Sequence, residues 1–466
     1  MNTRNIHLSR PLTLTLALSL ALSLAACSNP RNDTDTNLTN TNPVNDENVL
    51  STTLEPEMDT SSDVETAAAQ TVGFGGFKTF GVLSTNSKAT EAHVDGAGNV
   101  YVVGSTTAKF GGQNLAGGAD AFLIKFNSIG VQQWVRFLGT TADESAIKVL
   151  PTPNGSVIVA GTTSGSLFAT NLDAATLPER NDLFLAKFSA NGRRLWGKQF
   201  GSRAADLVSD LRIDANGNSF VAGATYDPLI GGGGATGKGV FVIGANPAGT
   251  LATATFYNVG NVSKSPRTSG AVRVYQVKLD RSLNVYASTT TDLTVDFLGS
   301  PSALRYEEKM IQFLADGTQK YQLSSGVHGY KQGWAYRADS NGVTYLTGET
   351  FGYPDFFKRY DNGIETYSSP FGNYGIFALE AQSTSNTDTL LASGTDIIKL
   401  GAGGLKINSA RLSSSNPNDY VQVLGFNLDK FGNVFVVGSR SGRTTDGGVS
   451  GQQPFIAKYN PKLVLQ

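Results

Sequence analysis

From Phe74 onward the apolar positions of this chain come in short, largely alternating runs separated by polar turns, and the arrangement repeats. The clearest unit is Asp95-Gly-Ala-Gly-Asn99 followed by Val-Tyr-Val-Val-Gly104-Ser-Thr106. It returns as Asp214-Ala-Asn-Gly-Asn218-Ser-Phe-Val-Ala-Gly223 and as Asp429-Lys-Phe-Gly-Asn433-Val-Phe-Val-Val-Gly438. Looser copies stand at 153–163, 280–288, 339–348 and 388–394, which makes seven, spaced about 56 residues apart. Alternation of this length predicts strands, and glycine or asparagine at the turns supplies the positive φ that tight hairpins demand.

A second signature follows each copy. Phe122-Leu-Ile-Lys-Phe126 recurs as Phe184-Leu-Ala-Lys-Phe188, Phe356-Phe-Lys-Arg-Tyr360 and Phe455-Ile-Ala-Lys-Tyr459. A glycine then precedes a large residue by four positions, as in Gly130 and Trp134, Gly192 and Trp196, or Gly317 and Tyr321. Each period therefore holds four strands, a to d, which is the blade of a β-propeller. Seven is the direct count, and the looser middle copies leave it open between six and eight. The seventh copy ends at 462–466 without a d strand, while Gly76-Phe77-Lys-Thr-Phe80-Gly81 resembles the d strands at Trp134 and Trp196. The N-terminal strand is thus expected to complete the last blade and close the ring. The fold class is all-β.

Composition agrees with that reading. Of 466 residues, 40% are hydrophobic and only 16% charged, with 53 glycines and 41 phenylalanines and tyrosines. Low charge, abundant glycine and aromatics favour strands and turns over helices. A net charge of -1 gives no basic surface for nucleic acid. One cysteine excludes an internal disulfide, and three histidines offer little for zinc.

The first 27 residues follow a different pattern. Arg4 and Arg10 give a positive start, and leucines at every second position from Leu12 to Leu24 form an apolar run too short for a comfortable span. The run ends in Leu24, Ala25, Ala26 and Cys27, which resembles the lipobox of bacterial lipoproteins. The resemblance implies a mature chain beginning at Cys27, lipidated there and held in a membrane by more than one acyl chain. Ser28 in place of aspartate favours the outer membrane or cell surface. Residues 28–71 are rich in Asn, Thr, Asp and Ser and too poor in apolar groups to offset ordering entropy. They read as a disordered tether with a reach of roughly 35–40 Å. The expected organisation is signal peptide and lipidation site 1–27, tether 28–71 and propeller 72–466.

The repeat units resemble bacterial β-propeller repeats of SBBP type over nearly all of residues 74–461. That resemblance implies the fold more than a biochemistry. Tight connections are expected on one face, between a and b and between c and d. Long b–c and d–a connections, including 292–307 and 324–333, are expected on the other. His328, Tyr330, Lys331 and Trp334 cluster in the last of these and form a candidate sugar- or peptide-binding surface, or ordinary loop packing. Glu91, Asp143, Asp206 and Asp419 are read as equivalent places just before strand a. They could form a Ca²⁺ ring, or each could accept backbone N–H groups. The Asp-x-x-Gly-Asn segments read as hairpin turns and not as calcium loops. No nucleophile elbow, zinc pair or phosphate loop appears, which leaves His93 and His328 as potential bases. The expected function is a monomeric, non-enzymatic scaffold for an envelope or extracellular protein or polysaccharide. The alternatives are a structural envelope protein and a carbohydrate-active enzyme with paired carboxylates at the channel mouth.

Overall fold

The computed structural model describes residues 77–80 and 87–466, apart from 171–180, 233–236, 253, 264–270, 298–299, 330–333, 351–352, 371–379, 384–388, 394, 402–405, 413–418 and 444–448. The expected signal, the Leu24-Ala25-Ala26-Cys27 lipobox and the tether lie outside the described residues. Among those described there is no helix, and the strands form seven four-stranded antiparallel sheets. The first sheet holds β2 (Lys88–Val94), β3 (Val100–Thr106), β4 (Asp120–Phe126) and β5 (Gln132–Leu138), in that order. The second runs from β6 (Glu144–Pro151) to β9 (Arg194–Phe200), and the third from β10 (Asp206–Ile213) to β13 (Thr255–Tyr257). The fourth runs from β14 (Val272–Leu279) to β17 (Gln319–Gly329), and the fifth from β18 (Trp334–Ala338) to β21 (Ile364–Pro370). The sixth runs from β22 (Glu380–Ser383) to β25 (Lys406–Arg411).

The seventh sheet holds β26 (Asp419–Leu428), β27 (Val434–Arg443) and β28 (Val449–Tyr459), and its fourth strand is β1 (Phe77–Thr79). Phe77 stands opposite Ala457 and Thr79 opposite Phe455, so the N-terminal strand completes the last blade as the sequence predicts. Contacts between first strands run around the circle: β2 meets both β6 and β26, β10 meets β6 and β14, and β14 and β22 both meet β18. The molecule is a closed seven-bladed propeller.

Its repeat signatures have specific packing causes. Gly104, Gly161, Gly223 and Gly438 stand directly opposite Phe122, Phe184, Phe241 and Phe455. A Cβ on Gly161 would meet the Phe184 ring 2.5 Å away and the Ser145 carbonyl on the neighbouring strand. The glycine thus lets the phenylalanine ring lie across the strand, where it is buried, for about 1.5–3 kcal/mol per ring. The first strand carries a β-bulge at this level, between Ala89 and Glu91 and between Ala146 and Lys148. In the turn that follows, Asp95 Oδ1 accepts the backbone N–H groups of Ala97 and Asn99, each at 2.9 Å, and Oδ2 accepts the Asn99 amide at 2.8 Å. Asp214, Asp280 and Asp429 repeat the pattern. These carboxylates are spent inside their own turns, as hairpin segments require.

The fourth blade departs from the rule. Thr289 stands where blades one, two, three, five and seven have glycine, with Lys309 opposite. Its second and third strands, β15 (Val285–Phe297) and β16 (Ser300–Phe313), are 13 and 14 residues long against seven in the first blade. The segment expected as a loop at 292–307 is therefore a hairpin arm, and β17 extends it through Gly329.

Candidate functional site

Two ends of the ring offer sites of different character. Among the described residues the a–b end carries short hydrogen-bonded turns, while the b–c end carries longer connections and the arm of the fourth blade.

Of the expected cluster at the b–c end, the backbone of two members is described. His328 belongs to β17, its backbone opposite Tyr306 in the arm, and Trp334 opens β18 opposite Gly348. Tyr330 and Lys331 lie outside the described residues. A single binding loop at 324–333 is replaced by a strand that continues to Gly329, because the arm supplies partners for its backbone.

The four carboxylates expected to share one level do not share it. Glu91 follows the bulge of β2 and stands opposite Val103. Asp206 opens β10 opposite Thr225, the level at which Glu144 faces Thr163. Asp143 precedes β6, is exposed, and accepts the Ala119 N–H at 2.8 Å. Asp419 lies further out, opposite Gly442. The physical reason is their distance from the turn: Glu91 stands four residues before Asp95, Asp206 eight before Asp214 and Asp419 ten before Asp429, and each residue of strand adds about 3.3 Å of height. Among the described residues no three His, Cys, Asp or Glu side chains gather as a metal ion would need.

Asp206 is nonetheless unusual. Its carboxylate accepts the Ser202 N–H at 2.5 Å and the Ser202 hydroxyl at 2.9 Å. Burial pushes its pKa up to about 7 against these hydrogen bonds, with the nearby Asp182 adding to the rise. Burial likewise raises Glu144, whose oxygens take hydrogen bonds from Thr140 and Thr163. Both serve the frame of the b–c end.

The chemistry gathers instead in the channel. A cavity of about 960 Å³ opens at the a–b end and runs between the inner strands. Its described lining includes Lys148, Arg212, Lys278, Arg281, Arg359 and Lys430, against Glu91, Asp210, Asp361 and Asp429. Each first strand presents a residue just past its bulge: Glu91, Lys148, Asp210 and Gln276 in blades one to four. These side chains bridge blades. Glu91 accepts the Lys148 ammonium and the Val149 N–H, both at 2.7 Å. Asp210 accepts the Leu279 N–H at 2.9 Å, and Gln276 accepts the Ala338 N–H at 2.9 Å. Arg212 donates through Nε and Nη2 to the Leu279 carbonyl at 3.2 and 2.9 Å. His93 lies in the same cavity, held below its ordinary pKa by burial, with Arg212 and Lys148 adding and Glu91 opposing. The neutral imidazole, the ion-paired Glu91 and the bonded Asp210 leave the cations as the groups best placed to meet a ligand.

Sequence reasoning named Glu91 and His93 but missed Lys148, Asp210, Arg212 and Lys278. A signal existed: the residue four positions before each turn is polar or charged in blades one to four, as Glu91, Lys148, Asp210 and Gln276.

No protein-family model matches the chain. A segment of 200 residues, 40% of the chain, is 30% identical to the regulatory protein FlaEY of Caulobacter vibrioides, of which it spans 20% of the length. Among solved structures, the Neurospora crassa Pan2 WD40 domain aligns over 79% of this chain and 89% of its own, at 12% identity and a TM-score of 0.44. The polysaccharide lyase Uly1 aligns over 80% and 90%, at 9% identity and a TM-score of 0.45.

Proposed function

We propose that this chain is an exported lipoprotein, anchored through lipid on Cys27, whose propeller is a non-enzymatic binding scaffold for a protein or polysaccharide of the envelope or cell exterior. The anchor reading rests on the Leu24-Ala25-Ala26-Cys27 pattern and on Cys27 being the one cysteine. The SBBP-type repeats and the tether at 28–71 fit a domain held clear of the outer membrane or cell surface. The observation that carries the binding role is the difference between the two ends of a closed ring. A framework braced blade to blade by Glu91, Asp210 and Gln276 presents short turns at one end and long connections with a projecting arm at the other. Longer connections on a rigid scaffold are the usual place for recognition. Every carboxylate of the cavity is engaged: Glu91 by Lys148, Asp210 by Leu279, Asp361 by Arg359 and Asp429 by its own turn. That favours binding over acid–base catalysis. The partial likeness to a protein named as regulatory fits a partner-binding role.

Metabolic labelling with an alkyne fatty acid, on the full chain and on Cys27→Ser, tests the anchor. Label on the native chain and none on the variant is the expected result. Equal labelling of both, or of neither, removes the anchor.

A further inference from the structure

We propose that the channel binds a multiply charged anion, a ligand with at least two carboxylate or phosphate groups, entering at the a–b end between Arg212, Lys278, Arg281 and Arg359. The site goes beyond the scaffold role and stands on the cavity alone, wherever the chain is anchored.

Three of the lining cations belong to the region around Leu279. Arg212 is fixed to its carbonyl by two hydrogen bonds, Lys278 precedes it in the chain, and Arg281 follows in the turn. Asp210 lies 3.7 Å from the Arg212 guanidinium and 3.8 Å from the Lys278 ammonium, and it also accepts the Leu279 N–H. The described lining of the cavity carries six cations against four carboxylates, a surplus of positive charge in a cleft whose low-dielectric walls focus the field on an incoming anion.

A second observation points the same way. Arg359 lines the same cavity and is 3% exposed. Its Nε reaches Asp361 at 3.2 Å, while its buried Nη1 has no hydrogen-bond partner among the described residues. A buried guanidinium N–H without an acceptor is rare in folded proteins and calls for one. Guanidinium groups match the two oxygens of a carboxylate or phosphate with parallel donors. The volume of about 960 Å³ is that of a site for a small or oligomeric ligand.

Calorimetric titration of the purified full chain tests the site with four probes: citrate, trigalacturonate, inorganic triphosphate and neutral maltotriose. At least one acidic probe is expected to bind with one-to-one stoichiometry, more weakly in 200 mM than in 50 mM salt, while maltotriose does not bind. Preference for citrate or trigalacturonate identifies a carboxylate ligand, and preference for triphosphate a phosphate ligand. Arg281 is exposed in its turn, so Arg281→Gln should melt as the native chain does and bind at least tenfold more weakly. Arg281→Glu should abolish binding. Failure of every acidic probe, or equal affinity in Arg281→Glu, overturns the proposal.

Discussion

Trp134 of the first blade lies across Gly192 of the second, where a Cβ would meet its ring at 2.8 Å, and its indole N–H donates to the Ala190 carbonyl at 3.1 Å. Trp196 repeats the arrangement on Gly249 and the Pro247 carbonyl, again at 3.1 Å. A glycine and a large residue of the repeat thus meet across these blade boundaries, as Gly363 and Tyr321 do further on, and at the first two the lysine of the Phe-x-x-Lys-Phe run joins them: Lys125 donates to Ala190 and Lys187 to Pro247. Repetition in the sequence is the record of one clamp made again at successive boundaries.

Gly192→Ala should therefore cost more than its backbone conformation alone. Gly192 has φ +79°, and Gly112 has φ +72° with open space around it. Each substitution incurs about 1–2 kcal/mol for a left-handed alanine. The excess measured for Gly192→Ala over Gly112→Ala in chemical denaturation reports the Trp134 contact, and it should reach about 1 kcal/mol or more. Equal losses at the two positions would mean that the clamp contributes nothing.

Gly161→Ala should destabilise by packing alone. The new methyl group must displace Phe184 or the strand carrying Ser145, both in the core. Overpacking of this kind costs about 1–3 kcal/mol. A melting temperature within a degree of the native value would contradict the packing account.

Ring closure rests on few residues. Phe77 stacks on Phe455 with centroids 4.6 Å apart, and Lys78 reaches across the seam to the Gly130 carbonyl of the first blade at 3.0 Å. Removing residues 72–82 exposes the edge of β28 and should lower the melting temperature and broaden the transition. An unchanged melt would show that the ring holds without its N-terminal strand.

Stability should fall as pH rises from about 4 to about 7. The pKa of Asp206 and that of Glu308 are each pushed up to about 7, chiefly by burial. Both carboxyls bind protons more tightly folded than unfolded, so their contribution is full below the unfolded value near 4 and is lost through the folded value. Each can account for on the order of 4 kcal/mol across that window. Asp206→Asn should flatten the profile markedly and leave the remainder to Glu308 and Glu144. A profile of unchanged slope in Asp206→Asn would place the proton elsewhere.

Much of this architecture was legible because each blade repeats its costly positions. The glycine facing a phenylalanine, the Asp-x-x-Gly-Asn turn and the clamp glycine admit few substitutes, so they mark the copies. The strand at Phe77 was readable as the missing member of the last blade for the same reason. The arm of the fourth blade was not read, although Leu293, Val295 and Phe297 alternate as a strand should; the absence of a turn signal made the segment look like a loop. The channel was hidden because Glu91 and Asp206 both precede a turn, yet by four and eight residues, so they face different levels of the ring. The polar residue past the bulge also varies in sign, from Glu91 to Lys148 to Asp210, so no single motif announces it.

The scaffold claim is tested most directly by capture. The purified full chain, immobilised through its C-terminus, is exposed to envelope extract, and retained proteins and glycans are quantified against increasing free chain. Saturable retention of one component, competed by free chain and reduced when the arm at 292–307 is shortened to a tight turn, is the result expected of a binding scaffold. Retention of nothing above a blank support would contradict that role and leave a purely structural one.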